Sequence, residues 1–109
     1  RRDMSRFMRV LVFFDLPTGS KQEKKQYIRF RKYLLDNGYE MLQYSVYCRI
    51  TGNRDEAEKY IARLQMNLPR DGQVRSLLIT ELQYEQMKIL LGSPTVSEEK
   101  VKDRELLVL

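Results

Sequence analysis

The chain has 109 residues, a net charge of +5 and a hydrophobic fraction of 42%; that is one domain by length, too apolar for a disordered segment, with no apolar run near the ~20 residues a membrane span needs. It has no histidine and a single cysteine, Cys48, which excludes an internal disulfide, Ser-His-Asp or Cys-His catalysis and ordinary zinc sites. Carboxylates remain, and with them a hard, oxygen-liganded ion such as Mg²⁺ or Mn²⁺. The lone thiol and the absence of anything resembling a signal peptide fit a reducing compartment, so the expected location is cytoplasmic. The basic balance favours polyanionic partners.

Residues Arg6 to Asp15 read as a strand, with Met8, Val10, Val12 and Phe14 on one face and Phe7, Leu11 and Phe13 on the other. Two apolar faces predict a central position in the sheet. After a loop from Leu16 to Gly19, Ser20 with Glu23 three residues on forms a capping box that starts a helix. Tyr27, Phe30 and Leu34 mark its buried stripe, and Asn37-Gly38 ends it. Tyr39 to Ile50 is expected as strand, bent or bulged near Gln43, with Cys48 a buried structural thiol rather than a nucleophile. Asn53 caps a second helix whose buried face is Ala57, Tyr60, Ile61, Leu64 and Leu68; Pro69-Arg70-Asp71-Gly72 stops it. Val74 to Leu82 reads as a further strand, Gln83 to Gln86 as a turn and Met87 to Leu91 as a short strand, broken by Gly92-Ser93-Pro94. The polar tail closes on Leu106-Leu107-Val108-Leu109, a terminal strand that needs an exposed sheet edge to pair with, in this subunit or another. If the second strand turns within itself the order is β-α-β-β-α-β, the ferredoxin-like arrangement; if not, it is β-α-β-α-β-β.

Asp15 is the candidate site. A carboxylate closing an apolar run is costly unless exposed, paired or bound to a metal. The alternative is a turn cap through the Thr18 or Gly19 amides. One carboxylate is a poor Mg²⁺ site, but a twofold dimer would bring two copies together, and their mutual repulsion would couple metal affinity to pH. The first helix carries Lys21, Lys25, Arg29 and Lys32 on one stripe, flanked by Lys24 and Arg31. Such a face can track phosphates, and binding there would be salt-sensitive. Ser45, in Gln43-Tyr44-Ser45-Val46-Tyr47, could contact a phosphate or belong to an ordinary half-exposed strand.

Three segments in order resemble one family. Met8-Arg9-Val10-Leu11-Val12-Phe13-Phe14-Asp15-Leu16-Pro17 resembles the opening strand of the CRISPR-associated Cas2 adaptation proteins, which ends in Asp, an apolar residue and often Pro. The basic stretch Lys24 to Leu34 is similar to that family's first helix, and Leu42-Gln43-Tyr44-Ser45-Val46-Tyr47 to its second-strand pattern, so the resemblance covers roughly residues 8 to 92. It implies an α+β, ferredoxin-like βαββαβ sandwich with an extra C-terminal strand, forming a homodimer. The expected domain spans residues 1–92, with 1–7 a short N-terminal extension and 93–109 a tail carrying the terminal strand. The implied partners are the CRISPR adaptation integrase and double-stranded DNA, with no membrane association. The implied role is a dimeric DNA-binding scaffold for spacer acquisition, with metal-dependent endonuclease activity in some members. Asp15 would then be the catalytic and metal-binding residue, Mg²⁺ or Mn²⁺ the cofactor, and Lys21, Lys25, Arg29, Arg31, Lys32 and Ser45 the nucleic-acid contacts. A toxin-type ribonuclease of the same fold outside CRISPR is the alternative.

Overall fold

A computed structural model of the chain describes residues 5–95. Strand β1 (Met8–Asp15) leads into helix α1 (Lys21–Asp36), the hairpin of β2 (Glu40–Gln43) and β3 (Val46–Thr51), helix α2 (Arg54–Gln65), strand β4 (Gln73–Thr80) and a short helix α3 (Glu81–Glu85). The sheet is antiparallel in the order β2-β3-β1-β4. This is the ferredoxin-like arrangement, and β1 is interior, as its two apolar faces predict.

The helices begin where their caps place them. The Ser20 hydroxyl accepts from the Glu23 amide at 3.1 Å, and the Glu23 carboxylate accepts from the Ser20 amide at 2.9 Å. Asn53 accepts from the Glu56 amide at 2.8 Å. α1 ends at Asn37, and Gly38 takes the left-handed φ of 82° that a side chain would resist.

Strand alternation divides the molecule into two faces. Met8, Val10, Val12 and Phe14 face the helices and pack with Phe30, Leu34, Tyr39, Tyr47, Ala57 and Leu64. Phe14 is the hub of this layer. Its ring meets Phe30 edge-on at 5.2 Å and Tyr27 at 6.2 Å, and stacks on Tyr47 at 5.6 Å. Under α2, the Arg49 guanidinium lies 3.9 Å from the Tyr60 ring. The nearby Tyr33 and Tyr39 hydroxyls and Arg49 Nε are buried without a hydrogen-bond partner among the described residues. Desolvation, reinforced by Tyr33 and opposed by Arg49, pushes Tyr39 up to about 12.

The opposite face carries Arg9, Leu11, Phe13 and Asp15. Half of it is roofed by α3, whose Tyr84 packs on Leu11 and Cys48. Buried Arg9 forks onto buried Glu81, with Nε 2.8 Å from one carboxylate oxygen and Nη2 2.9 Å from the other, and its guanidinium sits 4.0 Å from the Tyr84 ring centre. Burial pulls the Arg9 guanidinium down, but the hydrogen bonds and charge of Glu81, helped by Cys48, together raise it. Beyond α3 the face lies open, with Phe13 37%, Ile50 39% and Leu77 52% exposed.

The turn within Tyr39 to Ile50 is real: two strands are joined by Tyr44-Ser45, where Ser45 adopts a left-handed φ of 65° and reverses the chain, and the register shifts between Met41 and Gln43. Three expectations change. Gln83 to Gln86 lies largely in α3, started by a second capping box between Thr80 and Gln83. Met87 to Leu91 is not a strand among the described residues: α3 carries the chain off the sheet, leaving Leu90 and Leu91 91% and 97% exposed. Leu68 falls past the end of α2 and is 49% exposed. The expected strand at residues 106–109 lies outside the described residues.

Candidate nucleic-acid interface

Asp15 closes β1 opposite Gln73 of β4 and is exposed. Its carboxylate forms no hydrogen bond or ion pair among the described residues, so it caps no turn; Ser20 does that for α1. By alternation it points to the open sheet face, away from the helix layer. Its backbone is held tightly. The Phe14 amide donates to the Ser45 carbonyl at 3.1 Å. Gly72, at φ 100°, packs so close that a Cβ there would lie 2.5 Å from the Asp15 carbonyl oxygen.

Ser45 is therefore at the same end of the sheet as Asp15, joined through a backbone bond to the preceding residue, Phe14. Lys21, Lys25, Arg29, Arg31 and Lys32 are all exposed along α1, on the other side of the sheet from the Asp15 side chain. The structure thus gives two surfaces: a carboxylate on the sheet face and a cationic helix face. Only Lys32 of that helix face is ion-paired among the described residues, to Asp36 at 2.6 Å. Two shallow cavities that share Gln26 and Pro69 flank the helix. The larger, about 470 Å³, is lined by Pro17, Ser20, Lys25 and Arg70 among others; the smaller, about 120 Å³, includes Arg29 and Tyr33.

No group of three or more His, Cys, Asp or Glu close enough to hold an ion occurs among the described residues. Cys48 is inert here: burial, opposed by the charge and hydrogen bond of Arg9, pushes its thiol up to about 11.

Two features escape the sequence reading. The Arg9–Glu81 pair links residues 72 positions apart; a cation inside an apolar strand was its only local sign. Tyr44 stands 78% exposed at the hairpin tip beside Tyr27 of α1; nothing in the alternating pattern marks it as outward.

A ferredoxin-like sheet carrying a cationic helix and an acid at the end of its first strand defines a small α+β protein of ferredoxin-like class. The model of the family described as CRISPR associated protein Cas2 matches residues 8–87, and this chain belongs to that family. It is 51% identical over 94 residues to a protein of Acidovorax ebreus (strain TPSY) named CRISPR-associated endoribonuclease Cas2, covering 86% of this chain and 92% of that one. A protein of Ligilactobacillus salivarius (strain UCC118) with the same name is 46% identical over 85 residues, covering 78% of this chain and 84% of the other. The crystal structure of Streptococcus pyogenes Cas2 at pH 6.5 superposes with a TM-score of 0.57 at 21% identity, covering 76% of this chain and 99% of that one; at that identity the likeness is one of fold. No helix of the described residues is long and apolar enough to cross a membrane.

Proposed function

We propose that this chain is a homodimeric nucleic-acid-binding protein of CRISPR adaptation, which lays the outer face of α1 along duplex DNA and joins the spacer integrase in the cytoplasm. The observation that carries this is the solvent face of α1. Lys21, Lys24, Lys25, Arg29 and Arg31 are exposed there with no acidic partner among the described residues. Fixed, unpaired cations along one helix release the counterions of a phosphate backbone, the main source of sequence-independent affinity. The half-open apolar sheet face supports the dimer, since a domain this small gains from covering it. Family membership favours this reading over a toxin-type ribonuclease outside CRISPR.

Hydrolysis is a second reading, favoured by the printed names of the relatives and the free Asp15 carboxylate. The acid of one chain is too little for Mg²⁺ or Mn²⁺. Two copies of Asp15, brought together across a twofold axis, would hold the ion, and the bound ion would polarise a phosphate and acidify a water. Ser45 would contact phosphate at the same end of the sheet.

The test is sedimentation sizing with a salt titration of duplex binding. A dimer is expected, and changing Lys21, Lys25 and Arg29 together to Gln should flatten the log-affinity against log-salt slope by about 3, near 0.9 per phosphate contact. A monomer, or an unchanged slope, would sink the binding reading. Asp15→Ala should abolish metal-dependent cleavage while leaving duplex affinity intact; undiminished cleavage refutes the metal role.

A further inference from the structure

The β2–β3 hairpin presents one large side chain to solvent. Tyr44 is 78% exposed, yet it is not loosely held. Its neighbour Ser45, in the left-handed region at φ 65°, fixes the turn, and the Ser45 carbonyl accepts from the Phe14 amide at 3.1 Å. Phe14 packs edge-on against the ring of Tyr27, 6.2 Å away. The Tyr27 and Tyr44 hydroxyls are within hydrogen-bonding reach of each other. So backbone and ring tip are both tied to the structure while the ring stays bare. Lys24 and Arg31, three residues before and four after Tyr27, are its neighbours on the surface of α1, and both are exposed.

We propose that Tyr44, held by Tyr27 and the Ser45 turn, is a stacking platform for an unpaired base of a nucleic-acid strand, with Lys24 and Arg31 taking the flanking phosphates. This rests on the nucleic-acid-binding reading above and adds an aromatic subsite at the edge of the cationic face of α1, where Lys24 and Arg31 lie. The chemistry is that of single-strand recognition: every base offers a π-face, so an immobilised aromatic ring between cations binds without reading sequence. A base inside a duplex has both faces covered by its neighbours, so the platform selects single-stranded or frayed segments. A tyrosine suits this role because it supplies contact area with few rotatable bonds to freeze.

The hydrogen bond to Tyr44 is the largest influence on Tyr27; with partial burial and the neighbouring tyrosines, and against the pull of Arg31, it pushes Tyr27 up to about 12.

The experiment uses the whole protein and two probes: a short single-stranded DNA containing 2-aminopurine, and a relaxed, covalently closed circular duplex, which has no ends. Both are titrated across salt. Tyr44→Ala is expected to weaken single-strand binding about tenfold at every salt concentration, the scale of one lost base–aromatic stack. The salt slope should not change, because stacking releases no counterions. Circular duplex binding should be unaffected, and Tyr44→Phe should keep most of the affinity. On binding wild type, 2-aminopurine fluorescence should fall; with Tyr44→Ala it should fall less. Lys24→Gln, in contrast, should reduce the slope. Equal loss on both probes, or a Tyr44→Ala protein that binds the single strand like wild type, overturns the platform while leaving nucleic-acid binding standing. A wild-type protein that binds neither probe at low salt overturns both.

Discussion

Replacing Glu81 by Gln keeps the volume of the side chain and removes its charge, leaving the Arg9 guanidinium buried against a neutral amide. The pair is 8% and 4% exposed at its two side chains, so water can do little to compensate. Removing one partner of a buried pair costs about 3–5 kcal/mol. The Tyr84 ring, 4.0 Å from the guanidinium, still offers a cation–π contact worth up to about 2 kcal/mol when desolvated. The expected loss therefore lies at the low end, about 3 kcal/mol. That is a large part of the roughly 5–15 kcal/mol holding a domain of this kind, and about 12–24 °C in Tm. Denaturant unfolding followed by circular dichroism measures it. A second readout is local: α3 covers Cys48, which is 1% exposed, so Glu81→Gln should speed its reaction with a thiol reagent before global unfolding. The double variant Arg9→Met/Glu81→Leu should recover most or all of the stability, as apolar replacements of buried pairs do. If Glu81→Gln unfolds within about 1 kcal/mol of wild type, the pair is effectively solvated and the account of α3 as a clamped roof is wrong.

Stability should be flat through neutral pH and fall on the alkaline side. Cys48 is raised to about 11 from 9.0 and Tyr39 to about 12 from 10.0; each holds its proton more tightly when folded, so stability is lost as pH climbs past 9 and then past 10, by at most about 3 kcal/mol per group. Cys48→Ala should remove the first part of that decline and Tyr39→Phe a share of the second, which Tyr27 also feeds, read from denaturation midpoints at stepped pH. Since the Tyr39 hydroxyl is buried without a partner among the described residues, Tyr39→Phe should also leave neutral-pH stability unchanged or raise it by about 1 kcal/mol; a loss beyond about 1 kcal/mol would reveal a hydrogen bond to that hydroxyl. Phe14→Ala should cost about 3–5 kcal/mol by emptying the aromatic hub, and a cost under about 1 kcal/mol in thermal or denaturant unfolding would mean that the four-ring cluster repacks freely.

The parts of the fold legible in sequence were those set by local chemistry. Both long helices announce themselves by caps and by a stripe of core residues, and β1 by apolar residues on both faces. The hairpin was harder, since its left-handed position holds Ser45 rather than Gly or Asn and the polar–apolar alternation runs on through the turn. What holds that turn is a bond to Phe14, which sequence spacing cannot show. α3 carried a readable capping box in Thr80 and Gln83, hidden by the alternation of Leu77 and Ile79 just before it. Within the site, Asp15 was legible because a carboxylate ending an apolar strand is unusual. That it faces away from the cationic helix was not, because the side a strand end points to depends on the register of its neighbours.

Gly72 has a consequence for how the acid can vary. Its missing side chain leaves room for the Asp15 carbonyl; a would-be Cβ would next meet Leu16 Cδ2 at 2.8 Å, a side-chain end that can swing aside, and then Leu16 Cα at 3.1 Å, which is main chain and cannot. Any side chain at 72 would have to be accommodated by shifting the end of β1, and with it the carboxylate. A position with no functional group of its own thus acts as a spacer gauge for Asp15. Drift at residue 72 would appear as a displaced acid long before it appeared as an unfolded protein.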